Sequence, residues 1–329
     1  MKGLFYVKIK SKHLKLLFLI MPIEKQNITH FSKFGLIAKQ VVEGFLTGLH
    51  KSPFHGFSVE FAEHKIYNTG DSTRNIDWKL FARTEKLFLK EFEEETNVRS
   101  TIVVDVSTSM AFPKGSNSDL VNLNKLGFSL YASAALLFLL NRQRDASGVV
   151  LFDEMVRFSS EIKGSKRHLA FLIKQLEDAL DGRIKGEGVS NLSQCLHSIA
   201  DQSPRRGLVI LFTDFSFHSE KENLDSVMQS LQHLKHNKNE VIVFNVFDKK
   251  FEEEFDFGNR PHKFIDLETG DEIKLTPSEF KEKFQNMKLK QLNFIKTKLL
   301  NFGIDYMEAD IRKGFNKILE TYLIKRMKI

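Results

Sequence analysis

From about residue 100 onward, short apolar runs alternate with longer amphipathic stretches. Three of these runs, at residues 101–105, 207–212 and 240–247, are rich in β-branched or aromatic side chains and are largely apolar on both faces. Strands of this kind need cover on both faces, as they have in a parallel sheet with helices on each side. The alternation therefore predicts an α/β fold with a mostly parallel, Rossmann-type sheet and helices on both faces.

The stretches between the runs predict the helices that cover this sheet. Helices are expected at residues 33–47, 120–141, 165–180, 191–200, 219–236, 277–301 and 313–327. One hairpin is expected around residues 153–154, between strands at 148–152 and 155–158, and a second around the turn at residues 268–271. A short strand is expected at residues 304–307.

Differences in pattern divide the chain into three parts. Residues 1–24 contain five lysines and an apolar run that is shorter than the roughly 20 residues needed to span a bilayer. The run also lacks the small-residue cleavage site of a signal peptide, so we interpret residues 1–24 as an extension, with Met21 as an alternative start. Residues 25–98 are polar and mixed, and are expected to pack on the main α/β domain at residues 99–329.

Charge and cysteine content limit the functional classes. The formal net charge of +7 favours acidic partners or an anionic membrane surface. Basic and aromatic residues do not interleave in a nucleic-acid-binding motif, which disfavours nucleic acid as a partner. Cys195 is the single cysteine, so no internal disulfide can form, as is typical of a reducing compartment. We therefore expect a cytoplasmic protein, with peripheral association with the inner membrane as an open alternative.

Three polar clusters follow strands or precede helices, where open α/β sheets bind ligands. The first contains Asp105, Ser107 and Ser109, directly after the first buried run. The second is a glycine-rich loop that contains Ser190 and opens a predicted helix. The third contains Asp214, directly after the second buried run. We predict that these clusters form one site.

Hard divalent cations prefer the oxygen ligands that these clusters offer. Two hydroxyls at positions i and i+2 can face one ion, while the two carboxylates supply charge directly or through bound water. We therefore predict a Mg²⁺ site, with Mn²⁺ or Ca²⁺ as alternatives. Aspartates at strand ends and serines at loop–helix junctions are also common turn and capping residues. An ion that only holds the three loops together is a further alternative.

The five residues resemble the metal-ion-dependent adhesion site (MIDAS) of von Willebrand A domains. Its pattern is Asp-x-Ser-x-Ser, then a threonine, then an aspartate. Asp105, Ser107, Ser109 and Asp214 fit this pattern directly. Ser190 stands where the pattern has threonine, so the hydroxyl group is kept.

A second signature precedes the α/β domain. Its segments are KSPFHGFSVEF at residues 51–61, YNTGDSTRNIDW at residues 67–78, Ala82-Arg83-Thr84, and the acidic run at residues 90–95. Together with residues 264–270, 303–306 and 319–326, it resembles the bacterial family known as domain of unknown function fifty-eight. The resemblance extends from about residue 33 to the end of the chain, and it implies a von Willebrand A-like domain joined to this N-terminal segment.

The family resemblance also implies partners and a role. Such proteins are typically encoded beside MoxR-type AAA+ ATPases, and are thought to act with them as non-enzymatic adaptors. Within the signature, Arg74, Asp77 and Arg83 surround Trp78 in sequence. We interpret this cluster as an ion-pair network with Trp78 as a packing anchor. A partner-docking surface is the alternative, because arginine and tryptophan are enriched in binding hot spots.

A metal-dependent hydrolase is the main alternative from another functional class, because two aspartates near a cation could activate water. No histidine or lysine stands at a fixed spacing to the clusters as a general base, and no His-x-x-x-His zinc pattern is present. The phosphate-binding loop of P-loop ATPases is also absent from the sequence. These observations favour a binding protein over an enzyme.

Overall fold

The structure, a computed structural model, describes residues 32–49, 64–66, 78–90, 98–114, 120, 122–184, 191–216, 224–267 and 270–326. Its strands are β1 (His64–Ile66), β2 (Phe88–Lys90), β3 (Arg99–Asp105), β4 (Ala146–Phe152), β5 (Val156–Ser159), β6 (Leu208–Thr213), β7 (Glu240–Phe247), β8 (His262–Ile265), β9 (Glu272–Leu275) and β10 (Asp305–Asp310). Its helices are α1 (Lys33–Leu49), α2 (Trp78–Thr84), α3 (Lys125–Arg142), α4 (Lys166–Leu180), α5 (Leu192–Gln202), α6 (Leu224–His236), α7 (Pro277–Asn301) and α8 (Asn316–Arg326). The predicted extension at residues 1–24 lies outside the described residues.

Six of these strands form the central sheet, in the order β10–β7–β6–β3–β4–β5. The first five strands in this order are parallel, and the edge strand β5 runs antiparallel to β4. The chain passes from β3 through α3 to β4 on one side, and later returns to place β6 on the other side of β3. Open α/β sheets bind ligands beside such a reversal of strand order. The predicted mostly parallel α/β fold is confirmed.

Side chains of the parallel strands alternate between two apolar cores, one on each face of the sheet. In β3, Ile102 and Val104 belong to the core that α1, α3, α4 and α8 cover. Val103 belongs to the opposite core, which α5, α6 and α7 cover. Because both faces are buried, the strands are apolar at consecutive positions rather than at alternate ones.

Helix α3 is buried along most of its length. Its first residue, Lys125, lies at the carboxyl edge of the sheet, which is the edge where the parallel strands end. The apolar pattern predicts a start at residue 120, whereas the helix begins at Lys125. The cause is local, since Asn124 Oδ1 accepts a hydrogen bond from the backbone N–H of Gly127 at 2.7 Å and caps the helix. Lys125 therefore occupies the first helical position.

The predicted hairpins at β4–β5 and β8–β9 are both present as antiparallel pairs. The strand β10 is longer than the expected strand at residues 304–307 and pairs with β7. In the part of the chain that the structure describes, no helix combines the length and the apolar character needed to cross a membrane.

Gly207 immediately precedes β6 and lies against the start of β3. A Cβ atom at this position would be 2.8 Å from the carbonyl oxygen of Arg99. We expect Gly207→Ala to lower the free energy of unfolding by about 1–3 kcal/mol, as overpacking does, in urea denaturation. Gly44→Ala is the matched control, because a Cβ there has no neighbour within 4 Å. The control should raise the free energy of unfolding by about 0.5–1 kcal/mol, and equal effects at both positions would contradict the close approach at Gly207.

Candidate metal centre

Each of the five parallel strands ends at, or is directly followed by, a buried aspartate. These residues are Asp105 (β3), Asp153 (β4), Asp214 (β6), Asp248 (β7) and Asp310 (β10). Because the carboxyl ends of parallel strands share one edge of the sheet, the five carboxylates form a row along that edge. A buried carboxylate needs hydrogen bonds or a cation, and the partners of each aspartate indicate its role.

Asp105 is held by the turn that follows it and by the neighbouring strand. Its Oδ1 accepts a hydrogen bond from the backbone N–H of Ser107 at 2.9 Å, and its Oδ2 accepts one from the Thr213 hydroxyl at 2.9 Å. A 3₁₀ turn, Thr108–Ala111, follows Ser107. The hydroxyl groups of Ser107 and Ser109 are hydrogen-bonded to each other, with 3.1 Å between their oxygens, and both residues are buried. The structure thus brings the first predicted cluster to the end of β6.

The ammonium group of Lys125 lies among the carboxylates of this row. Its Nζ is 2.7 Å from Asp214 Oδ2 and 2.9 Å from Glu252 Oε1. The side chains of Lys125 and Asp214 are each 2% exposed. This lysine is missed by the search for a basic residue at fixed spacing, because it lies 89 residues before Asp214. No sequence signal marks this lysine, because the helix predicted to begin at residue 120 places Lys125 beyond its first turn, whereas α3 begins at Lys125.

A π-helical turn, Lys249–Glu253, carries Glu252 to the site. Asp248 caps this turn, with its Oδ1 accepting a hydrogen bond from the backbone N–H of Lys250 at 3.0 Å. The backbone N–H of Asp248 donates in return to Glu252 Oε2 at 2.7 Å. Glu252 therefore accepts a hydrogen bond from Lys125 with one oxygen and from the backbone of Asp248, directly after β7, with the other.

Two further aspartates of the row have arginine partners. Arg157 Nε donates to both carboxylate oxygens of Asp153, at 2.7 and 2.8 Å. Arg312 donates to Asp248 from Nε at 2.8 Å and from Nη2 at 2.7 Å. Such charge-assisted pairs satisfy a carboxylate well. We infer that these two ion pairs stabilise the ends of β4 and β7.

Burial and charge give the two site carboxylates different acidities. Burial raises the pKa of Asp105 to about 7, and the negative charge of Asp214 adds to the rise. Burial also acts to raise the pKa of Asp214, but the Lys125 ammonium more than offsets it, and the pKa is lowered to about 2. For Lys125, burial acts to lower the pKa, but Asp214 and Glu252 reverse the effect and raise it. Asp214 and Lys125 are therefore both charged at neutral pH.

The oxygen atoms beside Asp105 suit a small divalent cation. Ligands at adjacent corners of an octahedron around Mg²⁺ are about 3.0 Å apart, and the Ser107 and Ser109 hydroxyl oxygens are 3.1 Å apart. A carboxylate has about four acceptor positions, so Asp105 and Asp214 can accept further hydrogen bonds, including from water molecules of an ion. Among the described residues, no group of three or more His, Cys, Asp or Glu is arranged to hold a metal ion. Within the described part of the site, the candidate ligands are the two hydroxyl groups and the carboxylates of Asp105 and Asp214.

The predicted ligand Ser190 lies outside the described residues. The next residue, Asn191, donates its backbone N–H to the carbonyl oxygen of Asp153 at 3.0 Å. Its side-chain Oδ1 also caps α5 by accepting a hydrogen bond from the backbone N–H of Gln194 at 3.2 Å. Asn191 therefore lies beside the end of β4 at the carboxyl edge of the sheet, and α5 begins at the next residue, close to the start that the sequence predicts.

The predicted cluster around Trp78 is described only in part, since Arg74 and Asp77 lie outside the described residues. Trp78 begins α2, and its side chain is 63% exposed. Its ring meets that of Phe81 edge to face, with 6.1 Å between centroids. Arg83 is also exposed. This exposure differs from the interpretation of Trp78 as a packing anchor.

Most strands of the central sheet lie within a region of the sequence that matches a known protein family. Residues 63–293, more than half of the chain, match the model of the family described as Protein of unknown function DUF58. The chain belongs to this family. The match confirms the resemblance to domain of unknown function fifty-eight, over a shorter range than residues 33–329.

Relatives of this DUF58 protein include two uncharacterized mycobacterial proteins, Rv1480 of Mycobacterium tuberculosis (strain ATCC 25618 / H37Rv) and Mb1516 of Mycobacterium bovis. Each is 22% identical to this chain over 180 residues. The alignment covers 55% of this chain and 54% of each relative. The chain thus spans about half the length of the curated relatives it matches.

Solved structures similar to this DUF58 protein come from several bacteria. The conserved hypothetical protein BatB from Bacteroides thetaiotaomicron is 13% identical, with a TM-score of 0.44, over 70% of this chain and 100% of that one. An aerotolerance-related membrane protein from Bacteroides fragilis is 15% identical, with a TM-score of 0.45, over 69% of this chain and 99% of that one. A von Willebrand factor type A protein from Catenulispora acidiphila is 16% identical, with a TM-score of 0.33, over 45% of this chain and 33% of that one.

Proposed function

We propose that this DUF58 protein is a cytoplasmic, non-enzymatic adaptor that binds one divalent cation, Mg²⁺, and uses it to bind a carboxylate of a partner protein. The partner is a MoxR-type AAA+ ATPase or a client of that ATPase, as the family resemblance implies. The observation that carries the proposal is the pair of buried hydroxyl oxygens of Ser107 and Ser109, 3.1 Å apart beside two buried aspartates.

The choice of ligands suits capture of a carboxylate. Ser107 and Ser109 would hold the ion through neutral hydroxyl groups, with Ser190 as a third hydroxyl. Asp105 and Asp214 would act on the ion through water. An ion with neutral direct ligands keeps much of its positive charge, so it binds an incoming carboxylate strongly. Bound Mg²⁺ would supply this electrostatic attraction.

The surroundings of Lys125 favour binding over hydrolysis. A general base must be unprotonated near its working pH, but two carboxylates raise the pKa of Lys125. Its ammonium donates to Asp214 and Glu252 at 2.7 and 2.9 Å. This lysine is therefore suited to balancing charge and not to removing a proton from water.

We expect the double substitution Ser107→Ala/Ser109→Ala to weaken Mg²⁺ binding at least tenfold, which corresponds to about 1.4 kcal/mol. The physical reason is the loss of both hydroxyl ligands, whose oxygens lie 3.1 Å apart. Isothermal titration calorimetry measures the affinity, and a pull-down of the MoxR-type ATPase with and without Mg²⁺ measures partner binding. Both signals should fall together.

Ser133→Ala is the matched control, because Ser133 is a buried serine of α3 two helical turns away from Lys125. The control should bind Mg²⁺ and the partner like the unsubstituted chain. Partner binding that is unaffected by EDTA and by the double substitution would overturn the adaptor mechanism. If EDTA lowers thermal stability while partner binding persists, the ion has a purely structural role.

A further inference from the structure

The cation site already contains a positive charge of its own. Lys125 Nζ lies within hydrogen-bonding distance of Asp214 and Glu252, and Asp214 acts electrostatically on Asp105. When Asp105, Asp214 and Glu252 are all ionised, the site contains three negative charges and one ammonium group, which contacts Asp214 and Glu252. The two negative charges that remain equal the charge of one divalent cation.

We infer that Lys125 is a resident cation of this site, and that its ammonium group competes with the divalent ion for Asp214 and thereby weakens binding of the ion. The inference rests on the proposed function, since it assigns a role at the same site. Lys125 is thus a residue that sets the affinity of the site.

The contacts of Lys125 differ from those of the two arginines at the same edge. Arg157 and Arg312 bind aspartates outside the predicted ligand set, and their side chains are 26% and 47% exposed. Lys125 binds a predicted ligand, Asp214, and its side chain is 2% exposed. Water screens a charge poorly at such depth. A divalent ion that approaches Asp214 would therefore be repelled strongly by the ammonium group.

Glu252 gives the ammonium group a second partner at 2.9 Å. Glu252 is fixed by the backbone N–H of Asp248 at 2.7 Å. An ammonium group is a compact charge with rotatable donors on a flexible chain, so Lys125 can remain paired with Glu252 when Asp214 is engaged by the ion and its water. The site can therefore accept a divalent cation without leaving a buried lysine unpaired.

The test is the Mg²⁺ and Mn²⁺ affinity of the Lys125→Met protein, measured by isothermal titration calorimetry at pH 7.5. Methionine keeps much of the length of the side chain and removes the charge. We expect the dissociation constant for both ions to fall at least tenfold. Lys288→Met is a matched control, because the Lys288 charge is a smaller influence on Asp214, and it should change the constant by less than about threefold. The exposed Lys174 provides a second control, and Lys174→Met should leave the constant unchanged.

The outcomes separate this inference from the proposed function. If the unsubstituted protein binds the ion and Lys125→Met binds it equally or more weakly, the inference is overturned and the proposed function stands. If only Lys125→Met binds, the inference is supported and the adaptor mechanism of the natural chain is overturned. If neither binds, both are overturned. Should Lys125→Met fail to fold, Lys125→Met/Glu252→Gln removes the carboxylate left unpaired, and it should bind the ion at least tenfold more tightly than Glu252→Gln alone.

Discussion

Replacing Asp214 with alanine is expected to lower the free energy of unfolding of the metal-free protein by about 3 kcal/mol at pH 7. The Lys125 ammonium lies 2.7 Å from Asp214 Oδ2, and both side chains are buried. Removal of one partner from a buried ion pair typically costs about 3–5 kcal/mol, because the remaining charge stays desolvated. We expect the lower end of this range, since Glu252 still binds Lys125 and the repulsion between Asp214 and Asp105 is removed.

Urea denaturation in EDTA measures this loss. The matched control is Asp181→Ala, which removes an exposed carboxylate 2.6 Å from Arg183 and should cost less than about 1 kcal/mol. Asp214→Asn should have an intermediate effect, because it removes the charge and keeps an oxygen that can accept a hydrogen bond. A loss for Asp214→Ala as small as that of the control would contradict the assignment of a desolvated ion pair at the end of β6.

The fold could be predicted from the sequence because a strand that is buried on both faces has apolar residues at consecutive positions. Strand β7 spans Glu240–Phe247, the full length of the apolar run that predicts it. The boundaries of the helices are less predictable, because capping by individual side chains sets them. Asn124 makes α3 begin at Lys125 instead of residue 120, while the apolar pattern of the helix gives no information about this start.

The candidate site could be predicted only where its members are close in sequence. Asp105, Ser107 and Ser109 lie within five residues, and the turn that follows β3 is enough to bring them together. Lys125 meets Asp214 and Glu252 across 89 and 127 residues. Those contacts depend on the order of β3, β6 and β7 in the sheet, which the alternation of strands and helices does not specify. The sequence thus indicates that carboxylates collect at one edge of the sheet, but it does not indicate that Lys125 lies among them.

The metal-free protein is expected to lose stability as the pH rises from 5 to 7. In the folded chain the pKa of Asp105 is raised from 3.8 to about 7, so the folded protein keeps a proton that the unfolded chain loses near pH 4. Between these two values the folded state binds more protons than the unfolded state, and stability decreases as the pH increases. The expected slope is about 1 kcal/mol per pH unit, with a full loss on the order of 4 kcal/mol above pH 7. The lowered pKa of Asp214, about 2, has the opposite effect on stability but acts below about pH 4.

Asp105→Asn is the matched variant, because it keeps the shape of the side chain and removes the ionisation. Urea denaturation in EDTA at pH 5, 6 and 7 should show the decline for the unsubstituted protein and a much smaller one for Asp105→Asn. A divalent cation favours the ionised carboxylate, so millimolar Mg²⁺ should offset the decline in stability of the unsubstituted protein. Mg²⁺ should have no such effect on Asp105→Asn. Equal declines in EDTA would mean that Asp105 ionises without a cost of burial. The carboxylate would then be better solvated than its hydrogen bonds to Ser107 and Thr213 indicate.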